Sequence, residues 1–67
     1  MSSLEIDKKL IEIELLTQNR LFNTAEREIN SLYEYFTSNY EHFTPAQTDQ
    51  MFLLINFISK RLQKERK

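Results

Sequence analysis

Apolar residues in the first seventeen positions fall into two rows rather than one. Ile6, Leu10, Ile13 and Thr17 recur at helical spacing, and Leu4, Ile11 and Leu15 form a second row, with Asp7 and Glu14 between them. At 100° per residue, one apolar stripe calls for one neighbour and two stripes call for two. The first helix is therefore expected to pack between two surfaces. Ahead of it, Ser2-Ser3-Leu4-Glu5 has the form of a capping box, in which Ser2 accepts from the Glu5 N–H and the Glu5 carboxylate returns to the Ser2 N–H.

Between Leu16 and Ala25 the pattern weakens. Thr17, Gln18, Asn19, Asn23 and Thr24 carry short polar side chains that compete for backbone hydrogen bonds. A turn is expected near Thr17–Arg20, with Asn19 as its left-handed residue because the chain has no glycine to take that role. The competing reading is one unbroken helix from Ser3 to Tyr40. It would run about 57 Å at 1.5 Å per residue, too long for a compact domain of this size.

The second helix follows from Phe22, Ala25, Ile29, Leu32/Tyr33, Phe36 and Tyr40, a single stripe backed by Glu26, Arg27, Glu28, Asn30, Ser31 and Glu34. Thr44-Pro45-Ala46-Gln47 then announces a third: Thr44 as N-cap, Pro45 at the first helical position where its missing N–H costs nothing, and Gln47 as the returning partner. Met51, Leu54, Ile55, Ile58 and Leu62 make its stripe, which Leu53 and Phe57 are expected to widen to about half the circumference. The reading is one all-α domain over 1–67, with helices near 3–17, 21–40 and 45–65. It is a helical hairpin plus a third helix in an up-down-up bundle, completed by dimerisation if the spare apolar surface is to be covered.

At 67 residues the chain buries only about 60% of its unfolded surface, so good packing or a partner must stabilise it. Forty per cent hydrophobic and 28% charged residues place it among folded proteins rather than disordered ones. No cysteine excludes disulfide and thiol chemistry, and no glycine excludes glycine-rich phosphate loops. No segment resembles a membrane span, and Met1-Ser2-Ser3-Leu4-Glu5 lacks the basic-then-apolar order of a leader, so a cytoplasmic protein is expected.

Catalysis is not expected. His42 is the sole imidazole, the carboxylates mostly fall on exposed helix faces, and no strained turn offers an oxyanion hole. Glu41-His42 is half a metal site at most; the simpler reading is an exposed turn residue, and no cofactor, metal or small-molecule substrate is expected. Residues 1–50 carry a balance of −5 and residues 51–67 one of +4. The basic set Lys60, Arg61, Lys64, Arg66 and Lys67 reads as a solvated helix end complementing the helix dipole, as a contact to an acidic protein partner, or as a phosphate contact to nucleic acid. Tyr35 and Phe52 lie off the main stripes and, with Leu4, Ile11 and Leu15, are the candidate partner-binding residues.

The functional expectation is a non-catalytic interaction module binding a second copy of itself or a larger protein. The alternative is a small regulator touching nucleic acid through its basic C-terminal end. Leu15-Leu16 and Asn19-Arg20-Leu21-Phe22-Asn23-Thr24-Ala25 resemble the turn of a tetratricopeptide-type hairpin without its glycine. The size and the Pro45-Ala46-Gln47 start are similar to small co-chaperones of type III secretion needles. Neither resemblance carries residue roles across.

Overall fold

A computed structural model describes residues 2–65, the side chain of Glu65 excepted. It contains α1 (Ser3–Gln18), α2 (Phe22–Asn39), a short 3₁₀ turn (Tyr40–His42) and α3 (Pro45–Glu65), with no strand among the described residues. The three helices pack pairwise in an up-down-up bundle of 38 × 19 × 17 Å. Its core is Ile6, Leu10 and Ile13 of α1, Phe22, Ala25, Ile29 and Leu32 of α2, and Met51, Leu54, Ile58 and Leu62 of α3, joined by Phe43. Thr17 is also buried; its hydroxyl donates to the Glu14 carbonyl at 2.6 Å, so no polar group is stranded there.

Both expected capping boxes form. In α1, Ser2 Oγ accepts from the Glu5 N–H and Glu5 Oε1 accepts from the Ser2 N–H, each at 3.2 Å. In α3, Thr44 Oγ1 accepts from the Gln47 N–H at 3.1 Å and Gln47 Oε1 accepts from the Thr44 N–H at 3.0 Å.

The first turn breaks where expected but by a different residue. Asn19 is an ordinary C-cap (φ −89°), its side-chain amide donating to the Leu15 carbonyl at 2.9 Å, and Arg20 takes the left-handed conformation (φ 61°). Arg20 N–H donates to Thr17 O and Leu21 N–H to Leu16 O, the paired bonds of a Schellman ending. The left-handed position follows from which carbonyls must be satisfied. Asn19 answers Leu15 from both its backbone and its side chain while still nearly helical, so the reversal passes to the next residue.

The second turn reassigns three aromatics. α2 stops at Asn39, whose side chain donates to the Tyr35 carbonyl, and the 3₁₀ turn rotates Tyr40 out of the expected core stripe to 62% exposure. Phe43, in extended backbone, drops into the core instead, its ring edge-on to Phe36 at 4.9 Å. The returning chain also covers Tyr35, which sequence periodicity directs away from the core. It is half-buried, with its ring 6.1 Å from Phe43 and 6.4 Å from His42. Tyr33, expected in the core, stays at the edge, where its ring meets Phe36 and Phe52.

Candidate functional site

The two rows of α1 separate completely. Ile6, Leu10, Ile13 and Thr17 are inside, whereas Leu4, Ile11 and Leu15 are 64%, 57% and 51% exposed. Both neighbouring helices pack on the same side of α1, so the second row faces solvent along three turns. On α3, Leu53 and Phe57 were expected to widen the core face. Both are exposed instead: Leu53 stands outside the faces that α1 and α2 cover, and Phe57 is met only at their margin, its ring 6.5 Å from that of Phe22. Ile55, on the α2 side, is half-buried against the core.

Ile11, Leu53 and Phe57 border shallow open grooves along the α1–α3 seam, with Glu14, Gln50 and Lys60 as polar neighbours. The N-terminal end of this seam is closed by Gln47, which the sequence marks only as a capping partner. Its side chain is buried, and Nε2 donates across to Asp7 Oδ1 at 2.7 Å and to the Ser3 carbonyl and hydroxyl at 3.0 Å. One residue thus caps α3 and fastens it to the first turn of α1. The available signal was the choice of glutamine: a glutamate would complete the same box but could not donate to Asp7.

Phe52 is 41% exposed but not solitary, since its ring is edge-on to Phe36 at 5.9 Å and to Tyr33 at 6.1 Å. It belongs to an aromatic edge between α2 and α3. At the opposite end, Lys60, Arg61 and Lys64 are exposed, and the Arg61 guanidinium lies 5.4 Å from the Phe57 ring centre. Arg66 and Lys67 lie outside the described residues.

His42 is exposed in the 3₁₀ turn, and among the described residues no group of three His, Cys, Asp or Glu side chains could hold a metal ion. The Glu5 carboxyl is held below the ordinary range, chiefly by the Ser2 N–H and then by the Ser2 hydroxyl. This is capping, in a fully exposed group, and not a poised acid. No described helix is long and apolar enough to cross a membrane. Compared with known protein families, curated proteins and solved structures, the chain matches none of them.

Proposed function

We propose that this chain is a non-catalytic protein–protein interaction module, an adaptor, regulator or chaperone-like subunit acting through the outer face of α1. The observation that carries the reading is the Leu4–Ile11–Leu15 row, which three-helix packing leaves in water. Burying a leucine or isoleucine side chain is worth about 1.5–3 kcal/mol. A row of three at near-heptad spacing is therefore a strong seam for another helix. Leu53 and Phe57 extend the apolar surface onto α3. The compartment we propose is the cytoplasm, in keeping with a chain that carries no cysteine to oxidise.

Light-scattering mass of the pure chain, and of the chain in extract from its native cell, tests this against Ile11→Glu. The wild type should associate, with itself or with a protein partner, and the variant should not, while its helical circular dichroism is retained. A variant that associates as well as the wild type ends the reading. The clustering of Lys60, Arg61 and Lys64 beside Phe57 favours a second reading, contact with nucleic acid through the basic end. Salt separates the two, because phosphate contacts weaken steeply with ionic strength and an apolar seam does not.

A further inference from the structure

A recess of about 290 Å³ opens where α1 stops and α2 begins. Its walls are Thr17, Gln18 and Arg20 at the first turn, Phe22 of α2, and Phe57 and Arg61 of α3. Two guanidinium groups therefore border one small space. No carboxylate among the described residues lines it, and none forms an ion pair with Arg20 or Arg61. The adjoining recess shares Phe57 and Arg61 and adds Lys60 and Lys64, again without a carboxylate among the described residues. Two crowded lysines could relieve their repulsion by losing a proton, but arginine stays charged in proteins. The pair is answered only by solvent or by an anion from outside.

The backbone of Arg20 points the same way. It is the one non-glycine residue with positive φ among the described residues (φ 61°). That conformation costs a residue with a side chain about 1–2 kcal/mol, and glycine takes it freely. Arginine there weakens the fold slightly and sets a guanidinium at the recess. Strain of this kind persists where a site uses it. The helix dipoles oppose an anion only weakly. α1 and α3 both end here, each with about half a negative charge, and the start of α2 offsets one of them. The Leu15, Leu16 and Thr17 carbonyls already accept from Asn19, Leu21 and Arg20. Two full guanidinium charges outweigh what is left.

We infer that this recess binds a phosphate monoester, its phosphate held between Arg20 and Arg61. Charge makes the selection. A monoester carries about −1.5 to −2 at pH 7 and matches two guanidinium ions, whereas a carboxylate or a nucleic-acid phosphodiester carries a single charge. The guanidinium fork also fits phosphate oxygens two at a time. Gln18, exposed at the same wall, brings a neutral donor, and the exposed Phe57 ring offers an apolar surface to the organic group of the ester. The volume lies near the lower end of small-ligand sites, which suits a phosphate with a small substituent. The inference is separate from the interaction reading above, because the recess is built without Leu4, Ile11 or Leu15.

Inorganic phosphate and phenyl phosphate are the probes, with acetate at the same ionic strength as control. Both phosphates should raise the melting point of the full chain saturably, and acetate should not. In calorimetric titration, Arg61→Gln should weaken phenyl phosphate binding at least about tenfold. Its circular dichroism should match the parent, because Arg61 is exposed. Arg20→Gly separates binding from folding: it should melt higher than the parent without ligand and gain nothing from phosphate. Arg20→Lys, which keeps the charge, should retain part of the gain, and Lys8→Gln, outside the recess, should keep all of it. Ile11→Glu should bind phosphate like the parent, so failure here leaves the interaction module untouched. Equal effects of phosphate and acetate would overturn the inference, as would an Arg20→Gly variant that binds phosphate like the parent. A single-stranded oligonucleotide with a 5′-hydroxyl, bound more tightly than phenyl phosphate through the same two arginines, would also overturn the monoester and put a phosphodiester strand in its place.

Discussion

The two faces of α1 carry nearly the same chemistry and meet opposite fates. One presents Ile6, Leu10, Ile13 and Thr17, the other Leu4, Ile11 and Leu15, yet the first is sealed and the second is more than half exposed at every position. Composition does not separate them, because the apolar content of the two rows is nearly equal. The difference is geometric: α2 and α3 pack against each other as well as against α1, and so must both sit on one side of it. A helix in a three-helix bundle has room for only one buried stripe. A second stripe is surplus to the fold and stays in water.

The largest expected effect tests that contrast directly. Ile58→Ala and Ile29→Ala remove fully buried side chains and should each cost about 2–5 kcal/mol. Total stability for this length is about 3–10 kcal/mol, so either variant should be partly unfolded at 25 °C. Ile11→Ala, the same chemical change on the exposed row, should leave the denaturant midpoint of the dilute monomer within about 0.5 kcal/mol of the parent. Equal losses in chemical denaturation would mean that the outer row is core.

Next in size is the α1–α3 fastening. Gln47→Glu keeps the capping geometry but loses the donor and sets a second carboxylate against Asp7, so it should cost about 1–3 kcal/mol. Thr44→Ala, which removes the cap and leaves the bridge, should cost roughly 0.5–2 kcal/mol. Thermal melts of the pair, with the glutamate variant recovering as pH falls and its carboxylates protonate, would sharpen the distinction between capping and bridging. A glutamate variant as stable as the parent at neutral pH would show that the bridge contributes nothing.

A smaller, stabilising change is expected at the first turn. A side chain in the left-handed region costs about 1–2 kcal/mol, more than the entropy a glycine loses there. Arg20→Gly should therefore raise stability by about 0.5–1 kcal/mol, seen as a melting point several degrees higher. An unchanged or lower melting point would place the reversal elsewhere.

The smallest effect belongs to Glu5. Its folded pKa lies below the ordinary 4.5, so its contribution is present above that value and is lost as pH falls through the lowered folded value. Glu5→Gln should remove that segment of the acid-stability curve by slightly lowering stability at neutral pH, the two proteins converging once Glu5 is protonated. An identical acid limb in both proteins would show that the α1 box is idle in solution.

Much of this molecule was legible before folding. The three helices, both capping boxes, the central stripe residues Ile29 and Ile58, and the two-row character of α1 all follow from relations within four residues, which helical geometry makes local. Local patterns failed at the α2–α3 turn. There, periodicity extended α2 through Tyr40, but the helix ended one residue earlier, exchanging Tyr40 for Phe43 in the core and drawing Tyr35 inward. Where a helix stops depends on what the next segment can bury, and that is set by residues distant in sequence.

By itself, then, the sequence determined the helical elements, their starts and the existence of a surplus apolar row, because each rests on backbone hydrogen bonding and side-chain period within one helix. Only the tertiary structure decided which row of α1 is buried, that Leu53 and Phe57 stand outside the core, and that Gln47 ties α3 to α1 through Ser3 and Asp7. Those outcomes depend on how three cylinders share one interior: each buries the face its neighbours can reach, and no single helix carries the positions of the other two.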